Sequence, residues 1–159
     1  MKDNFPHAIS FVLYWEKWKS DNPKDPGGLT IWGICQRDYP DEVNTMLGMS
    51  EKDSRVYAER FYRREFWDAM GCDDLQGLID IVIFDCSVNQ GKTKAKAIAR
   101  NACNWADAIL LKYDYYDDIK LFTQFGRGWS KRAISLRNYI VTKFRVLEWD
   151  PKELVKAEL

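Results

Sequence analysis

The stretch Glu16-Lys17-Trp18-Lys19-Ser20-Asp21-Asn22-Pro23-Lys24-Asp25-Pro26-Gly27-Gly28-Leu29-Thr30-Ile31-Trp32-Gly33-Ile34 joins a helix to a short β element through a loop that neither can cross. Upstream of it, Ile9, Val12, Leu13 and Glu16 fall at i, i+3, i+4 and i+7, so one helix face carries three apolar side chains and then a carboxylate. This spacing predicts a helix capped by Asp3 or Asn4, with Pro6 in the first turn where proline is tolerated, running to about Trp18. From Ser20 to Gly28 the turn formers Ser, Asp, Asn, Pro and Gly cannot continue it. Leu29 to Cys35 is rich in β-branched and aromatic residues and predicts a strand or hairpin too short to found a sheet domain.

The rest of the chain reads as helices. Ser50 with Asp53 three residues later predicts a capped helix to about Trp67, with Val56, Arg60 and Phe61 near one side. Gly71 breaks that pattern. Between Asp74 and Val88 nearly every side is apolar, as in a helix buried all round; a buried parallel strand has the same composition but is rarely about 15 residues long. Asn89-Gln90-Gly91 ends it, with Gly91 suited to a left-handed position. A helix follows from Lys92 to about Trp105, then a segment through Tyr113 to Phe122. After Gly126-Arg127-Gly128 comes a last long helix, Trp129 to about Glu148, limited by Pro151. No repeat, low-complexity tract or linker interrupts this order. The reading is therefore mainly α, one domain over 1–159 with a small β excursion.

A chain of 159 residues buries roughly 70% of its unfolded surface, enough for one sizeable core. The 24 Lys+Arg balance the 24 Asp+Glu, so no overall field draws the protein to nucleic acid or an anionic membrane. Lys92, Lys94 and Lys96 read better as a solvated helix face than as a phosphate patch. Cys35, Cys72, Cys86 and Cys103 lack the paired short spacings of a metal site and are expected to be free thiols. No metal or cofactor is implied. The amino-terminal residues show no secretory signal pattern and no stretch reaches the ~18 apolar residues of a membrane span. The expectation is synthesis in the cytoplasm, with access to a cell wall only after lysis, inside a phage particle or by another export route.

A carboxylate closing an apolar helical stripe, followed by a rigid loop bearing Asp21 and Asp25, is an arrangement a glycosidase can use. A carboxyl in a partly dry position keeps its proton toward neutral pH and can pass it to a leaving glycosidic oxygen. A second carboxylate across the cleft then activates water or attacks directly, and the separation of the two decides the stereochemistry. The same residues have plainer readings: Glu16 paired with Lys17 or Lys19 on the surface, Asp25 as a turn residue, Thr30 as a strand residue. A third, helical nucleic-acid-binding reading rests only on the basic helix after Gly91 and the aromatic content, and the neutral net charge opposes it.

The stretch from Glu16 to Ile34 resembles the active-site motif of the glycoside hydrolase family 108 muramidases, which include phage endolysins and proteins once called secretion activators. That motif is a Glu followed nine positions on by Asp-Pro-Gly-Gly, then Thr and Gly-Ile, and the spacing here is the same. Phe84-Asp85-Cys86-Ser87-Val88-Asn89-Gln90-Gly91 resembles the family's Phe-Asp-x-x-Val-Asn-x-Gly, and Gly128-Trp129-Ser130-Lys131-Arg132 its Gly-Trp-x-x-Arg. The chain departs from the family at Lys17-Trp18-Lys19, where Gly-Gly-Tyr is usual. Lysine and tryptophan add bulk and charge where glycines would admit a sugar or a backbone.

The resemblance implies a lysozyme-like fold, with 1–90 as the catalytic part and 91–159 as C-terminal, peptidoglycan-binding-like helices in the same unit. It implies an N-acetylmuramidase that cleaves the bond between N-acetylmuramic acid and N-acetylglucosamine, with peptidoglycan glycan strands as partner and other virion proteins as further partners in a phage. Glu16 is then the general acid, with Asp25 and Thr30 positioning or activating the water. Asp85 and Asn89 lie toward the groove, Asn89 suited to sugar hydroxyls and N-acetyl groups because it both donates and accepts. Trp18 and Trp32 offer faces for pyranose rings, while most of the seven tryptophans belong to the core and His7 to a cap or the surface. The alternative, favoured by Lys17-Trp18, is a lysozyme-like fold that only binds peptidoglycan or builds a phage particle.

Overall fold

The structure, a computed structural model, describes residues 4–21, 28–117 and 122–146. Helix α1 (Phe5–Glu16) turns Ala8, Ile9, Val12 and Leu13 into the core. It stops at Glu16, two residues short of the periodicity, because Lys17 swings to φ 59°, ψ 171°. Asn4 occupies the capping position but does not cap; its side-chain amide donates 2.8 Å to the buried Asp80 carboxylate instead.

Three two-residue strands follow: β1 (Lys19–Ser20), β2 (Thr30–Ile31) and β3 (Ile34–Cys35), an antiparallel sheet in that order. Lys19 pairs with Ile31, Ser20 with Thr30, and Ile31 with Ile34. The β2–β3 turn is Trp32-Gly33, both at positive φ (51° and 80°), the mark of the primed hairpin turns whose twist matches that of the strands. Trp32 tolerates this because it is fixed from several sides. Its amide donates to the Trp18 carbonyl at 2.7 Å, its carbonyl accepts from the Tyr62 hydroxyl at 2.9 Å, and its indole donates to Ser54 at 3.0 Å.

Helix α2 (Pro40–Leu47), which the sequence reading did not resolve, begins on a proline in the first turn. Helix α3 (Glu51–Tyr62) starts at Ser50, whose hydroxyl accepts from the Asp53 amide at 3.1 Å as expected. Its buried face is Ser54, Ala58, Phe61 and Tyr62, and Val56 lies outside, a correction to the predicted face. A π-helical turn (Arg63–Trp67) and two short 3-10 turns carry the chain through Gly71 to helix α4 (Ile79–Asn89). Every residue of α4 from Asp80 to Ser87 is buried, so it is the central post of the fold, packed by α1 and by helices α5 (Lys92–Asn101) and α6 (Trp105–Asp117).

Helix α7 (Phe122–Phe144) runs straight through Gly126-Arg127-Gly128, which the sequence reading took as a break. A helical glycine costs about 1 kcal/mol against alanine, less than burying Leu136 or Ile140 contributes, so packing overrides propensity. Helix α7 lies antiparallel along α1, for Arg132 meets Glu16 while Tyr139 donates to the His7 carbonyl at 3.1 Å. Cys35, Cys72, Cys86 and Cys103 are free thiols. Helix α7 ends at Phe144, short of the expected end near Glu148, where Arg145 turns to φ 52°.

Candidate active site

Glu16 ends α1, and the reversal at Lys17 turns the chain away directly after it. The Trp32-Gly33 turn presses on its stem: a Cβ at Gly33 would lie 2.7 Å from Glu16 Cγ and from the Tyr62 hydroxyl. Only glycine fits there, both for space and for its φ of 80°. The Glu16 side chain keeps 23% exposure, neither sealed nor in bulk water.

Arg132 of α7 donates through Nη1 to Glu16 Oε1 at 2.6 Å. Its Nε donates 2.9 Å to Asp85 Oδ1, and Nη2 lies equally near that oxygen but off the hydrogen-bond line. The other Asp85 oxygen accepts from Lys112 Nζ of α6. Lys112, Asp85, Arg132 and Glu16 therefore form a chain of alternating charge, its first three members buried. Burial alone opposes ionisation of Asp85, but Arg132 and Lys112 outweigh it and hold the carboxyl below its usual range. Burial likewise opposes the Arg132 charge, and Asp85 and Glu16 reverse that, so the guanidinium binds its proton more tightly than in water. Tyr62 stays neutral because burial, with Glu16 adding to it, pushes its hydroxyl well above the ordinary range.

A groove of about 330 Å³ adjoins the Gly33 turn, lined by Tyr39, Tyr62, Val88, Gly91 and Lys92 among others. This is the lower part of the size range of small-ligand sites, ~300–1,000 Å³. Asn89 is half-buried at the end of α4, between groove-lining Val88 and Gly91 in sequence. Trp18 is 42% exposed beside Glu16 and presents a face to solvent. Thr30 sits in β2, its hydroxyl 3.5 Å from the Gly28 carbonyl. Asp25 lies outside the described residues.

Two expectations require correction. Trp32, read as a sugar platform, is 5% exposed, with Arg55 over its ring and Ser54 on its indole nitrogen, so it belongs to the core. Asp85, read as facing substrate, is buried and fully taken by two cations. His7 packs edge-on against Phe144 at 5.2 Å, far along α1 from Glu16. Arg132 had entered only as a motif residue and Lys112 not at all. Both fall in buried stripes, Ala108-Ile109-Lys112 and Arg132-Ala133-Leu136, and a cation inside an apolar stripe was the signal that marked them. Among the described residues no cluster of His, Cys, Asp or Glu is suited to hold a metal.

A mainly helical domain whose first helix delivers a partly buried glutamate beside a small antiparallel sheet is the lysozyme-like arrangement of a glycoside hydrolase. The glycosyl hydrolase 108 family profile matches residues 9–91, more than half of the chain, and the protein belongs to that family. The solved structure of Brucella abortus SagA shares the fold, with a TM-score of 0.66 at 22% identity over 89% of this chain and 96% of that one. No curated protein matches the sequence.

Proposed function

We propose that the protein is an N-acetylmuramidase that cleaves peptidoglycan between N-acetylmuramic acid and N-acetylglucosamine. Glu16 gives its proton to the leaving glycosidic oxygen, and Asp25 and Thr30 position the water. The observation that supports this best is the placement of Glu16, whose stem packs on Gly33, a residue that lines the groove, and whose partly exposed carboxylate accepts a hydrogen bond from a buried arginine. Asn89 and Trp18 are the sugar contacts, the first by hydrogen bonds and the second by its exposed ring. The setting is lysis or entry by a phage, or remodelling of a bacterium's own wall. The enzyme reaches its substrate after release from the cytoplasm or within a virion.

A second reading, peptidoglycan binding without cleavage, is favoured by one observation. Lys17 and Trp18 project from the turn next to Glu16 where the family's glycines would leave room. Turbidity of purified cell walls separates the two. Cleavage predicts clearing by wild type and none by Glu16→Gln, whereas binding alone predicts sedimentation with the walls and no clearing by either.

A further inference from the structure

We infer that Arg132, locked in place by Asp85 and Lys112, is the positioning residue for Glu16, so that the C-terminal helices complete the hydrolytic site rather than merely adding to it. The inference rests on the reading of Glu16 as the proton donor. Glu16 and Asp85 lie inside the region that matches the family profile, while Lys112 and Arg132 lie beyond it.

The geometry divides the guanidinium between two carboxylates. Nε and Nη1 are on different edges of the fork, one bonded to Asp85 at 2.9 Å and the other to Glu16 at 2.6 Å. A fork has fixed angles, so the place of Asp85 sets the place of Glu16 Oε1. Asp85 cannot yield, because it is buried in the central helix and its second oxygen is held by Lys112, itself fully buried. Among the described residues no donor meets Glu16 Oε2, which leaves that oxygen to carry the proton.

Stability alone gives no reason for this chain. A buried charge cluster gains little over apolar side chains of the same volume, since desolvation cancels most of the attraction. Its products are direction and constancy: one oxygen of Glu16 is tethered to an arginine that is itself fixed to the central helix. Reactions are sensitive to such placement, with an error of about 1 Å costing on the order of 100-fold in rate. An ammonium in place of the guanidinium cannot serve both carboxylates with the same geometry.

The test is steady-state cleavage of solubilised peptidoglycan by Arg132→Lys, Arg132→Ala and Lys112→Met, alongside side-chain carbon NMR relaxation at Glu16. Arg132→Lys keeps the charge and is expected to lower kcat by roughly 10- to 100-fold with KM little changed. Guanidinium ion, and not sodium or ammonium at the same strength, is expected to revive Arg132→Ala. Lys112→Met is expected to lower kcat although Lys112 touches neither Glu16 nor the groove. In Arg132→Lys the Glu16 side chain is expected to become more mobile. A wild-type kcat in Arg132→Lys, no rescue of a folded Arg132→Ala, or unchanged order at Glu16 overturns the inference. The NMR arm decides even if Arg132→Ala does not fold or wild type does not cleave; in the latter case it is the muramidase reading that fails.

Discussion

Lys17→Gly is expected to raise stability, against the usual direction of glycine substitutions. Lys17 sits at φ 59°, ψ 171°, a region that essentially only glycine occupies without cost, and a side chain held there stores about 1–3 kcal/mol. The side chain is exposed, so its removal forfeits little buried surface. Glycine is freer in the unfolded chain, which returns roughly 0.5–1 kcal/mol. The balance is a gain of about 1 kcal/mol, or a rise of about 2–4 °C in melting temperature for a domain of this size. Thermal unfolding followed by circular dichroism measures it, with Lys17→Ala as the control. Alanine keeps the Cβ and the strain, so its change is expected to stay within about 0.5 kcal/mol. A Lys17→Gly protein that melts at or below wild type, or an alanine variant that gains as much, refutes the strain argument.

Gly33→Ala forces a Cβ into Glu16 Cγ and the Tyr62 hydroxyl and strains a backbone at φ 80°. A loss of about 2–4 kcal/mol in urea unfolding is expected, with a fall in kcat as Glu16 shifts. Asp85→Asn leaves Arg132 and Lys112 buried without their shared anion and is expected to cost about 3–5 kcal/mol, again by urea unfolding; a cost below 1 kcal/mol contradicts the charge chain. Burial is the main cause that pushes the Asp80 carboxyl up to about 6, against about 3.9 in an unfolded chain. The folded protein thus holds that proton where the unfolded one has lost it, so this group's contribution to stability falls as pH rises from 4 through 6. Asp80→Asn lacks the titration, and its stability relative to wild type is expected to improve by about 2 kcal/mol between pH 4 and pH 7. Parallel pH profiles of the two proteins contradict this.

What was legible in the sequence was local. The stripe Ile9-Val12-Leu13 placed Glu16 at the end of a core-facing helix edge, and α4 declared itself by being apolar on all sides. The end of α1 was misplaced because the periodicity continues through Trp18 while the backbone reverses at Lys17, a conformation that lysine does not advertise. Trp32 was misread for a similar reason. In a two-residue primed turn its ring folds back onto α3, whereas an extended strand would have offered it to solvent. The partners of Asp85 lie 27 and 47 residues further along the chain, a distance that no helical period spans. Asp85 thus appeared as a polar residue seeking a sugar when it had already been satisfied from α6 and α7. The break assigned to Gly126-Arg127-Gly128 failed because two weak helix formers were weighed without the packing that follows them.

The most direct measurement is the chemistry of the fragments released from purified peptidoglycan by wild type and by Glu16→Gln, identified by mass spectrometry before and after borohydride reduction. Muropeptides ending in a reducible muramic acid, from wild type only, are the predicted result. Fragments cut within the peptide, or equal release by the glutamine variant, contradict the assignment of Glu16 as the acid that breaks the glycan.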